Sequence, residues 1–559
     1  MIIKVVTLIP IVRGLPVGEL TYFSTFAVAV GDIATVSIQS RSVRGLVVTV
    51  DDVRTVKAQL KRGEFILRRV ESVKPGFISP TIVSAAKKTA EYFATSLTRV
   101  LGAIYSKNVM AEAERIKSQE SRIKSQELRI KNGESKTLIP NSKFLIQNIE
   151  GTQMDRLEWI KKNILPKHAR VLYIAPSNDA VARAKEFFKN KKNVVCASPE
   201  YGFVRLSSVD AVILDDESGP GYLDKSSARI NFKKVYEYHA RENNQTLVIA
   251  DSVLALKYFV PGSRVSSLSE WPSCKVVVKE KSEKHDSWLV SAESLALVKR
   301  ATATGGRVLF YAPRKGVATI TICKDCGELA ECAGCRRPWK LARRNGINIF
   351  VCPSCGDTRP SNTPCVDCGS WRLLPLGITV ESLASELERL LPTVNVLRIS
   401  RDNVKSKTAL KQSIKRFESS TCTILVATEL VIPFLKGVDV VVISSVDQFV
   451  VGRSLSGMDK AMRLIFDIAS LAHERVNIET AHSDQEFFAN IASGDPSSYR
   501  KREMEDRQNC NFPPFGIIVK IDNKMHLIKS ESWPDAELVK KIRSLPRGSE
   551  YTIDADTVV

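Results

Sequence analysis

Eight of the twelve cysteines of the chain lie between residues 323 and 368 and fall into four Cys-x-x-Cys pairs. This spacing places two thiolates on one tight turn, and two such turns supply the four sulfur ligands that zinc takes in structural sites. Eight thiolates suffice for two zinc ions and leave no open position for a catalytic water, so structural zinc is predicted. The pairs are Cys323 and Cys326, Cys332 and Cys335, Cys352 and Cys355, and Cys365 and Cys368.

Two other interpretations of these cysteines stay open, an iron–sulfur cluster and a set of reduced structural thiols. Knuckle-like pairs in a large chain fit zinc better than either. Glycine follows the second cysteine of three pairs, at Gly327, Gly356 and Gly369, where such turns often need a positive φ. The four lone cysteines stand in apolar or strand-like text and are interpreted as ordinary thiols.

The charge of the chain favours a polyanionic partner. Its 559 residues include 82 Lys and Arg against 61 Asp and Glu, a formal net charge of +21. Nucleic acid is the leading candidate because basic side chains gain affinity by displacing phosphate counterions, and a merely basic surface is the alternative. No apolar run is long enough for a membrane span and the start does not resemble a secretory signal, so a cytoplasmic protein is expected.

The elements that must position these residues are predicted as a multidomain α/β chain. Residues 1–106 alternate β-branched strands with Gly and Asp, which predicts a small β module with a trailing helix. Residues 107–140 hold a seven-residue repeat with one regular apolar residue per heptad. This repeat predicts a solvated helical or flexible linker, with a coiled coil as the minor alternative.

Buried strands then alternate with helices, which predicts two parallel α/β lobes. The first lobe is assigned to residues 141–300 and the second to 301–495, with the cysteine insertion at 323–369 inside the second. A short C-terminal domain is assigned to residues 496–559.

Two such lobes with a basic charge suggest a nucleic-acid motor, which needs a Gly-x-x-x-x-Gly-Lys-Ser/Thr phosphate loop after the first strand. The corresponding text, KFLIQNIEGTQMDRLEWI, contains Gly151 but no Gly-Lys-Ser/Thr. Asp215, Asp216 and Glu217 follow the strand AVIL, where a magnesium-binding carboxylate would lie. Without the phosphate loop, an acidic strand-end loop is the favoured interpretation.

The order of these parts resembles the primosomal protein N′ family of replication-restart DNA helicases. The resemblance spans nearly the whole chain and is most specific in the cysteine block, where the order of the four pairs and the glycines match. It implies two RecA-like lobes and a nested zinc arrangement. By this resemblance Cys323, Cys326, Cys365 and Cys368 hold one zinc, and Cys332, Cys335, Cys352 and Cys355 hold the other.

The resemblance also shows where the catalytic motifs of the family are lost. Gln153 stands at the phosphate-binding lysine, and Asp215 and Asp216 stand in the Asp-Glu-Glu-His motif, with Asp216 replacing the water-activating Glu. Leu471 and Glu474 replace both arginines of the last motif. Because those cations neutralise the transferring phosphoryl group, their loss implies no ATPase activity, and binding of ATP and magnesium is not expected.

In the family the N-terminal module holds the 3′ end of a nascent strand at a fork. Here its acidic pocket residue is Thr21 and a glycine is replaced by Gln39, so general DNA binding is expected rather than specific capture of a 3′ end. For each candidate contact a solvated basic face is the alternative. The candidates are Arg41, Arg44, Lys61, Arg62, Arg68 and Arg69 in the first module and Arg336, Arg337, Arg343 and Arg344 in the cysteine block.

The resemblance therefore predicts a monomeric replication-restart protein that recognises branched, single-stranded or stalled-fork DNA. It would contact primosome proteins and help to reload the replicative helicase without ATPase or helicase activity. Two alternatives stay open: an ATP-dependent 3′-to-5′ DNA helicase with unusual motifs, and a protein-interaction scaffold built on the zinc knuckles.

Overall fold

The computed structural model divides the chain into two compact units, Met1–Ser269 with Arg507–Ala555, and Glu270–Asp506 with Asp556–Val559. Within them it describes residues 4–10, 18–38, 41–54, 67–106, 108–116, 144–224, 230–278, 289–313, 319–323, 325–326, 328, 330–334, 339–344, 347–352, 355–401, 403–421, 423–450, 454–480, 486–521, 524–546 and 551–554. None of the helices in these ranges is long and apolar enough to cross a membrane.

An antiparallel sheet opens the first unit and confirms the predicted β module. Its strands pair in the order β2-β1-β4-β3-β5 around a core that includes Val6, Leu8 and Val47, all fully buried. Gly31 has a φ of +93°, and a Cβ there would lie 1.9 Å from the Ile78 carbonyl oxygen. The strands are β1 (Lys4–Pro10), β2 (Leu20–Ser24), β3 (Ile33–Ile38), β4 (Arg41–Asp52) and β5 (Ser72–Lys74).

Two helices follow the sheet, α1 (Pro80–Tyr92) and α2 (Leu97–Ile104). Ser79 caps α1 and Pro80 occupies its first turn, where a missing N–H has no cost. Residues 108–116 are also helical, and Ala113 in this segment packs into the core of the unit. The rest of the predicted linker, 117–140, lies outside the described residues.

A six-stranded parallel sheet forms the first lobe. The strand order is β11-β6-β10-β9-β7-β8, and every residue of β7, β9 and β10 is buried, as expected for strands covered by helices on both faces. The strands are β6 (Leu145–Glu150), β7 (Val171–Ile174), β8 (Val194–Ala197), β9 (Ala211–Leu214), β10 (Thr246–Asp251) and β11 (Val265–Ser267). The helices between them are α3 (Gln153–Asn163), α4 (Asn178–Phe187), α5 (Pro199–Gly202) and α6 (Phe232–Glu242).

The second unit begins with strand β12 (Lys275–Val278), helix α7 (Ala292–Ala303) and strand β13 (Val308–Tyr311). β12 pairs in parallel with a strand of the second sheet, so the lobe boundary precedes it and does not lie near residue 300 as assigned from the sequence. The reason is that the chain leaves the first sheet after β11 and joins the second sheet with β12, before helix α7 begins.

The cysteine insertion follows β13 and consists of two small antiparallel sheets. β14 (Thr319–Cys323) pairs with β18 (Leu373–Gly377), which brings the two ends of the insertion together. Between them, β15 (Lys340–Arg344), β16 (Ile347–Val351) and β17 (Thr358–Pro360) form a three-stranded meander.

The chain then completes the second parallel sheet, in the order β12-β22-β21-β13-β20-β19. Its remaining strands are β19 (Asn395–Ile399), β20 (Thr423–Ala427), β21 (Val438–Ile443) and β22 (Ala472–Thr480). Its helices, together with α13 that follows the sheet, are α8 (Val380–Leu390), α9 (Lys407–Glu418), α10 (Asp447–Val450), α11 (Gly457–Ala469), α12 (Glu486–Ser493) and α13 (Ser497–Asn509). Both parallel sheets confirm the predicted parallel α/β class.

The C-terminal segment returns to the first unit. It contains the strands β23 (Gly516–Ile521), β24 (Lys524–Lys529) and β25 (Tyr551–Ile553), with helix α14 (Ala536–Arg543) before β25. The indole N–H of Trp533 donates to the Tyr92 carbonyl oxygen over 3.0 Å.

Candidate functional site

The first group of cysteines gathers four sulfurs from the two ends of the insertion. The sulfur atoms of Cys323, Cys326, Cys365 and Cys368 all lie within 4.8 Å of one another. Cys323 Sγ is 3.5 Å from Cys368 Sγ, and Cys326 Sγ is 3.8 Å from Cys365 Sγ. The first and last pairs therefore share one site, which is the nested arrangement implied by the resemblance.

The second group lies on the central meander of the insertion. The sulfurs of Cys332, Cys352 and Cys355 lie within 4.8 Å of one another, with 3.6 Å between Cys332 and Cys355. Cys335, the fourth predicted ligand, lies outside the described residues. Cys332 of the second pair thus meets both cysteines of the third pair at a separate site.

The sulfur spacing fits zinc. Zinc–sulfur bonds of about 2.3 Å in a tetrahedron put neighbouring sulfurs about 3.8 Å apart. The three sulfur–sulfur distances given above, 3.5, 3.8 and 3.6 Å, lie close to this value. Thiolate donors without oxygen ligands suit zinc rather than magnesium or calcium. The two groups could therefore hold two zinc ions.

Three of the cysteine turns share one backbone pattern. The N–H of Cys323, Cys352 and Cys365 each donates to the carbonyl oxygen five residues further on, over 2.8, 2.7 and 2.7 Å. Gly356 and Gly369 close two of these turns with φ of +77° and +72°, as their positions predict. These backbone hydrogen bonds thus give the three turns the same geometry.

Electrostatics at the first group favour ionisation of one thiol. Hydrogen bonds from backbone N–H groups, that of Cys326 above all, lower the pKa of Cys323 to about 6. The backbone N–H of Glu328 lowers the pKa of Cys326, but burial and the neighbouring sulfurs outweigh it and raise that pKa to about 12. A bound cation would be needed to ionise all four thiols together.

Among the described residues of the insertion, two large apolar side chains are exposed. Val366, inside the last Cys-x-x-Cys turn, is 80% exposed, and Trp371 is 68% exposed. Their neighbour Arg372 forms a salt bridge with Asp325, with 2.8 Å between Nη1 and Oδ1.

The first lobe has a two-residue connection, Gly151–Thr152, where a motor carries its phosphate loop. β6 ends at Glu150 and α3 begins at Gln153. Gly151 adopts a φ of +151°, and a Cβ there would lie 2.6 Å from Ser269 Oγ. Thr152 caps α3, and its backbone N–H donates to Ser269 Oγ over 2.8 Å. These contacts hold the connection against Ser269. Gln153, the first residue of α3, accepts a hydrogen bond from Arg183 Nε at 3.0 Å.

The carboxylate at the end of β9 is paired with an arginine of α3. Asp215 is fully buried, and its Oδ1 accepts from Arg156 Nε over 2.7 Å. The Tyr173 hydroxyl donates to the other oxygen of Asp215. Arg156 is buried as well, and its Nη1 donates to the Gly151 carbonyl oxygen over 2.6 Å. Burial opposes the charge of Arg156, but Asp215 outweighs it and holds the pKa of Arg156 above its usual value.

Arg156 is the functional residue that the sequence analysis missed. Its buried guanidinium lies beside Asp215, the candidate magnesium ligand. Its signal was an arginine on the same face of α3 as the buried Leu157 and Ile160.

The next two acidic residues are placed differently. Asp216 has a φ of +51°, a left-handed conformation. Glu217 is buried and accepts hydrogen bonds from Lys257, Tyr258 and Lys233. Burial opposes its charge, but the two lysines hold the pKa of Glu217 well below its usual value. The acidic run thus ends in an internal ion-pair cluster.

In the second lobe, the positions of the lost arginines flank the start of β22. Leu471 is half-buried, directly before β22, and its carbonyl oxygen accepts from the Val438 N–H over 2.8 Å. Glu474 is on the strand and exposed. Neither side chain supplies a cation.

Four of the candidate DNA contacts are exposed on the N-terminal module. Arg41 and Arg44 are on β4, and Arg44 Nη1 lies 3.3 Å from Glu114. Arg68 and Arg69 run beside β2, where Arg69 donates to Thr25 Oγ1 over 2.8 Å. The guanidinium carbon of Arg69 also lies 5.7 Å from the ring centroid of Phe26, which is 39% exposed.

The side chains of the other candidate contacts are not described. Lys61, Arg62, Arg336 and Arg337 are outside the described residues. Arg343 and Arg344 belong to β15, but their side chains are not described.

Known proteins resemble parts of this chain. No family model matches it. Replication restart protein PriA of Haemophilus influenzae is 22% identical over 331 residues, covering 56% of this chain and 45% of that protein. The protein of the same name from Bacillus subtilis is 20% identical over 340 residues, covering 57% of this chain and 42% of that protein. The chain thus spans about half the length of these relatives.

Among solved structures, the Escherichia coli DEAH/RHA helicase HrpB is similar with a TM-score of 0.34 and 9% identity, over 61% of this chain and 41% of that one. Replication restart protein PriA of Thermotoga maritima is 24% identical over 255 residues, which cover 44% of this chain and 34% of that protein. These sequence similarities support the relationship of the chain, as a divergent relative, to the replication restart protein PriA family.

Proposed function

We propose that this protein binds branched or stalled-fork DNA, and single strands, during replication restart and helps to reload the replicative helicase without hydrolysing ATP. The similarity to replication restart proteins supports the restart role. The net charge of +21 supports a DNA partner, because basic groups that replace phosphate counterions gain affinity. Primosome proteins and the replicative helicase are the proposed protein partners, and the chain would act as a monomer.

The observation that carries the loss of ATPase activity is the buried pair of Arg156 and Asp215. A magnesium ion at Asp215 would have to displace a guanidinium 2.7 Å away. Removing one partner from a buried ion pair costs about 3–5 kcal/mol, which the ion would have to offset. The neighbouring Glu217 is held by Lys233 and Lys257, so it offers no alternative ligand.

The residues that would contact the phosphates are equally unsuited to ATP. The Gly151–Thr152 connection is too short to wrap a triphosphate, and Gln153 brings no positive charge to it. Leu471 and Glu474 supply no cation for the transferring phosphoryl group. The short connection, Gln153, Leu471 and Glu474 together favour a chain that does not hydrolyse ATP.

The two zinc ions in this proposal are structural. Cys323, Cys326, Cys365 and Cys368 would hold the first, and Cys332, Cys335, Cys352 and Cys355 the second. With four thiolates each, the ions would have no open position and would stabilise the insertion rather than act on a substrate.

A protein-binding role of the zinc block is the second candidate. It is favoured by Trp371 and Val366, which expose 68% and 80% of their surface beside the last cysteine turn. Large exposed apolar side chains, Trp above all, are typical anchors of protein interfaces. In this alternative DNA binding would be incidental.

Fluorescence anisotropy of the zinc-loaded chain tests the proposal. The labelled DNAs are a fork with a 3′ leading end, a single strand and a blunt duplex, each at two salt concentrations and without ATP. Preferential, salt-sensitive binding to the fork supports restart recognition. Equal or negligible binding to all three overturns it and favours the second candidate.

A parallel assay follows phosphate release from ATP with magnesium and single-stranded DNA, with an intact DNA helicase as the positive control. No release above background is expected. DNA-stimulated turnover would overturn the proposed loss of ATPase activity and favour a helicase with unusual motifs.

A further inference from the structure

Helix α9 of the second lobe carries basic side chains along its exposed side. Its apolar residues Leu410, Ile414 and Phe417 are buried, which leaves the opposite side of the helix to solvent. We call this exposed side the basic face of α9, and its charged members are Lys407, Lys411, Lys415 and Arg416. None of them was among the candidate DNA contacts taken from the sequence.

The basic face lacks acidic partners. Within the part of the chain that the structure describes, the side chains of Lys411, Lys415 and Arg416 form no ion pair. The first turn of α9 contains no acidic residue. Glu418, the acidic residue at the end of the helix, instead accepts from the Lys436 backbone N–H over 3.2 Å. The positive charge of this face is therefore not neutralised by the helix itself.

Other helices of the chain are built differently. Their basic side chains are matched by acidic ones a single turn away, as in Lys161 with Glu158, Lys189 with Glu186, Arg241 with Glu237 and Arg389 with Glu386. On α9 the residues one turn apart, Lys407, Lys411 and Lys415, have the same charge, and like charges at this spacing repel each other and destabilise a helix. A polyanion bound along the helix would relieve this repulsion.

The length of the row suits a DNA duplex. With a rise of about 1.5 Å per residue, Lys407 and Lys415 are about 12 Å apart along the helix. Duplex DNA carries about one negative charge per 1.7 Å of its axis, hence about seven over this length. Thr408 and Gln412 are exposed in the adjacent row and add neutral donors of the kind that contact phosphates.

The absence of aromatic side chains argues for a duplex rather than a single strand. Proteins that hold single strands combine basic grooves with aromatic side chains on which the bases stack. Among the described residues of the second parallel sheet and its helices, no large apolar side chain is exposed. The basic face of α9 therefore offers contacts to phosphates and none to unpaired bases.

We propose that the basic face of α9 is a second DNA-binding surface, which takes the phosphate backbone of duplex DNA. This inference rests on the proposed function and deepens it, because a fork presents duplex arms as well as single strands. Binding at this face is independent of sequence and falls steeply as the salt concentration rises.

A triple variant, Lys411→Gln with Lys415→Gln and Arg416→Gln, tests the inference in anisotropy titrations at four salt concentrations. For a blunt duplex, the slope of log affinity against log salt should decrease by about 0.9 for each lost contact, hence by about 2.7. The slope for a single strand should stay as in wild type. Thermal unfolding provides the folding control, and its midpoint should not fall, because neutralising lysines one turn apart relieves repulsion.

The matched control removes the same three charges from exposed lysines of the first unit, as Lys167→Gln with Lys191→Gln and Lys192→Gln. It should bind duplex DNA with the wild-type slope. An equal loss in this control would show that overall charge is responsible and would overturn the assignment to α9, as would an equal loss for single strands.

The outcomes separate this inference from the proposed function. A wild type that prefers the fork, with a triple variant of unchanged duplex slope, would overturn only the role of α9. A wild type that binds all three DNAs equally, with a triple variant that loses duplex contacts, would overturn only fork recognition. A wild type that binds no DNA would overturn both.

Discussion

Arg156 of α3 and Asp215 at the end of β9 form an ion pair of 2.7 Å in which both side chains are buried. The pair joins the element that would cradle phosphate to the carboxylate that would hold magnesium. Their contact holds α3 against the end of β9.

This pair predicts a large and specific loss of stability. Asp215→Asn should destabilise the first lobe by about 3–5 kcal/mol because it leaves a buried arginine without its counter-charge. Replacing both partners, as Arg156→Met with Asp215→Leu, should recover most of that loss. The measurement is urea unfolding followed by intrinsic fluorescence.

The matched control is Glu186→Gln, which breaks an exposed pair with Lys189 of 2.6 Å. An exposed ion pair contributes little to stability, so this variant should unfold close to wild type. An Asp215→Asn chain as stable as the control would contradict a structural role of the buried pair.

The sequence predicted the architecture because its signals are local. Alternating buried strands and helices predict parallel sheets, and Cys-x-x-Cys turns predict metal knuckles, whatever the rest of the chain does. The pairing of Arg156 with Asp215 joins residues 59 positions apart, and no periodicity in either segment indicates it. The membership of β12 in the second sheet was missed for the same reason, since its partner β22 lies about 200 residues later.

The grouping of the cysteine pairs is a second feature that the sequence spacing does not predict. Spacing alone predicts pairs but does not say which pairs share an ion, and only the family resemblance supplied the nesting. The structure brings Cys323 to within 3.5 Å of Cys368 because β14 pairs with β18 at the two ends of the insertion.

Single cysteine substitutions should remove one zinc ion at a time. Cys365→Ser is expected to lower the zinc content from about two to about one per chain, and Cys355→Ser should do the same at the other group. Cys510→Ser is the control, because this exposed cysteine belongs to neither group. Elemental analysis after gel filtration gives the count, and unchanged zinc in either group variant would refute that site.

The ion-pair cluster around Glu217 predicts an acid-sensitive contribution to stability. The pKa of Glu217 is held below its usual value of 4.5 in the folded chain. Above pH 4.5 the carboxylate is ionised in both states, so its contribution is fully present. As the pH falls below this value, the unfolded chain takes up the proton first and the free energy of unfolding decreases.

Glu217→Gln removes this group and should be less stable than wild type at pH 7, with a difference that shrinks towards pH 3. Urea unfolding at several pH values measures it, and Glu186→Gln again serves as the exposed comparison. A difference that does not change with pH would show that the carboxylate charge is not the source of the stabilisation.

Arg69 and Phe26 predict separable effects on DNA binding. The guanidinium lies 5.7 Å from the ring, so the two side chains present a cation beside an exposed aromatic face. Arg69→Ala should reduce the slope of log affinity against log salt for single-stranded DNA by about 0.7, the effect of one lost phosphate contact. Phe26→Ala should weaken binding by about 1–3 kcal/mol without changing that slope, because base stacking releases no counterions.

Arg389→Ala is the control, since Arg389 is on α8 of the second unit and pairs with Glu386 at 2.9 Å. Anisotropy titrations at four salt concentrations measure both quantities, and wild-type behaviour of both N-terminal variants would exclude this surface as a DNA contact.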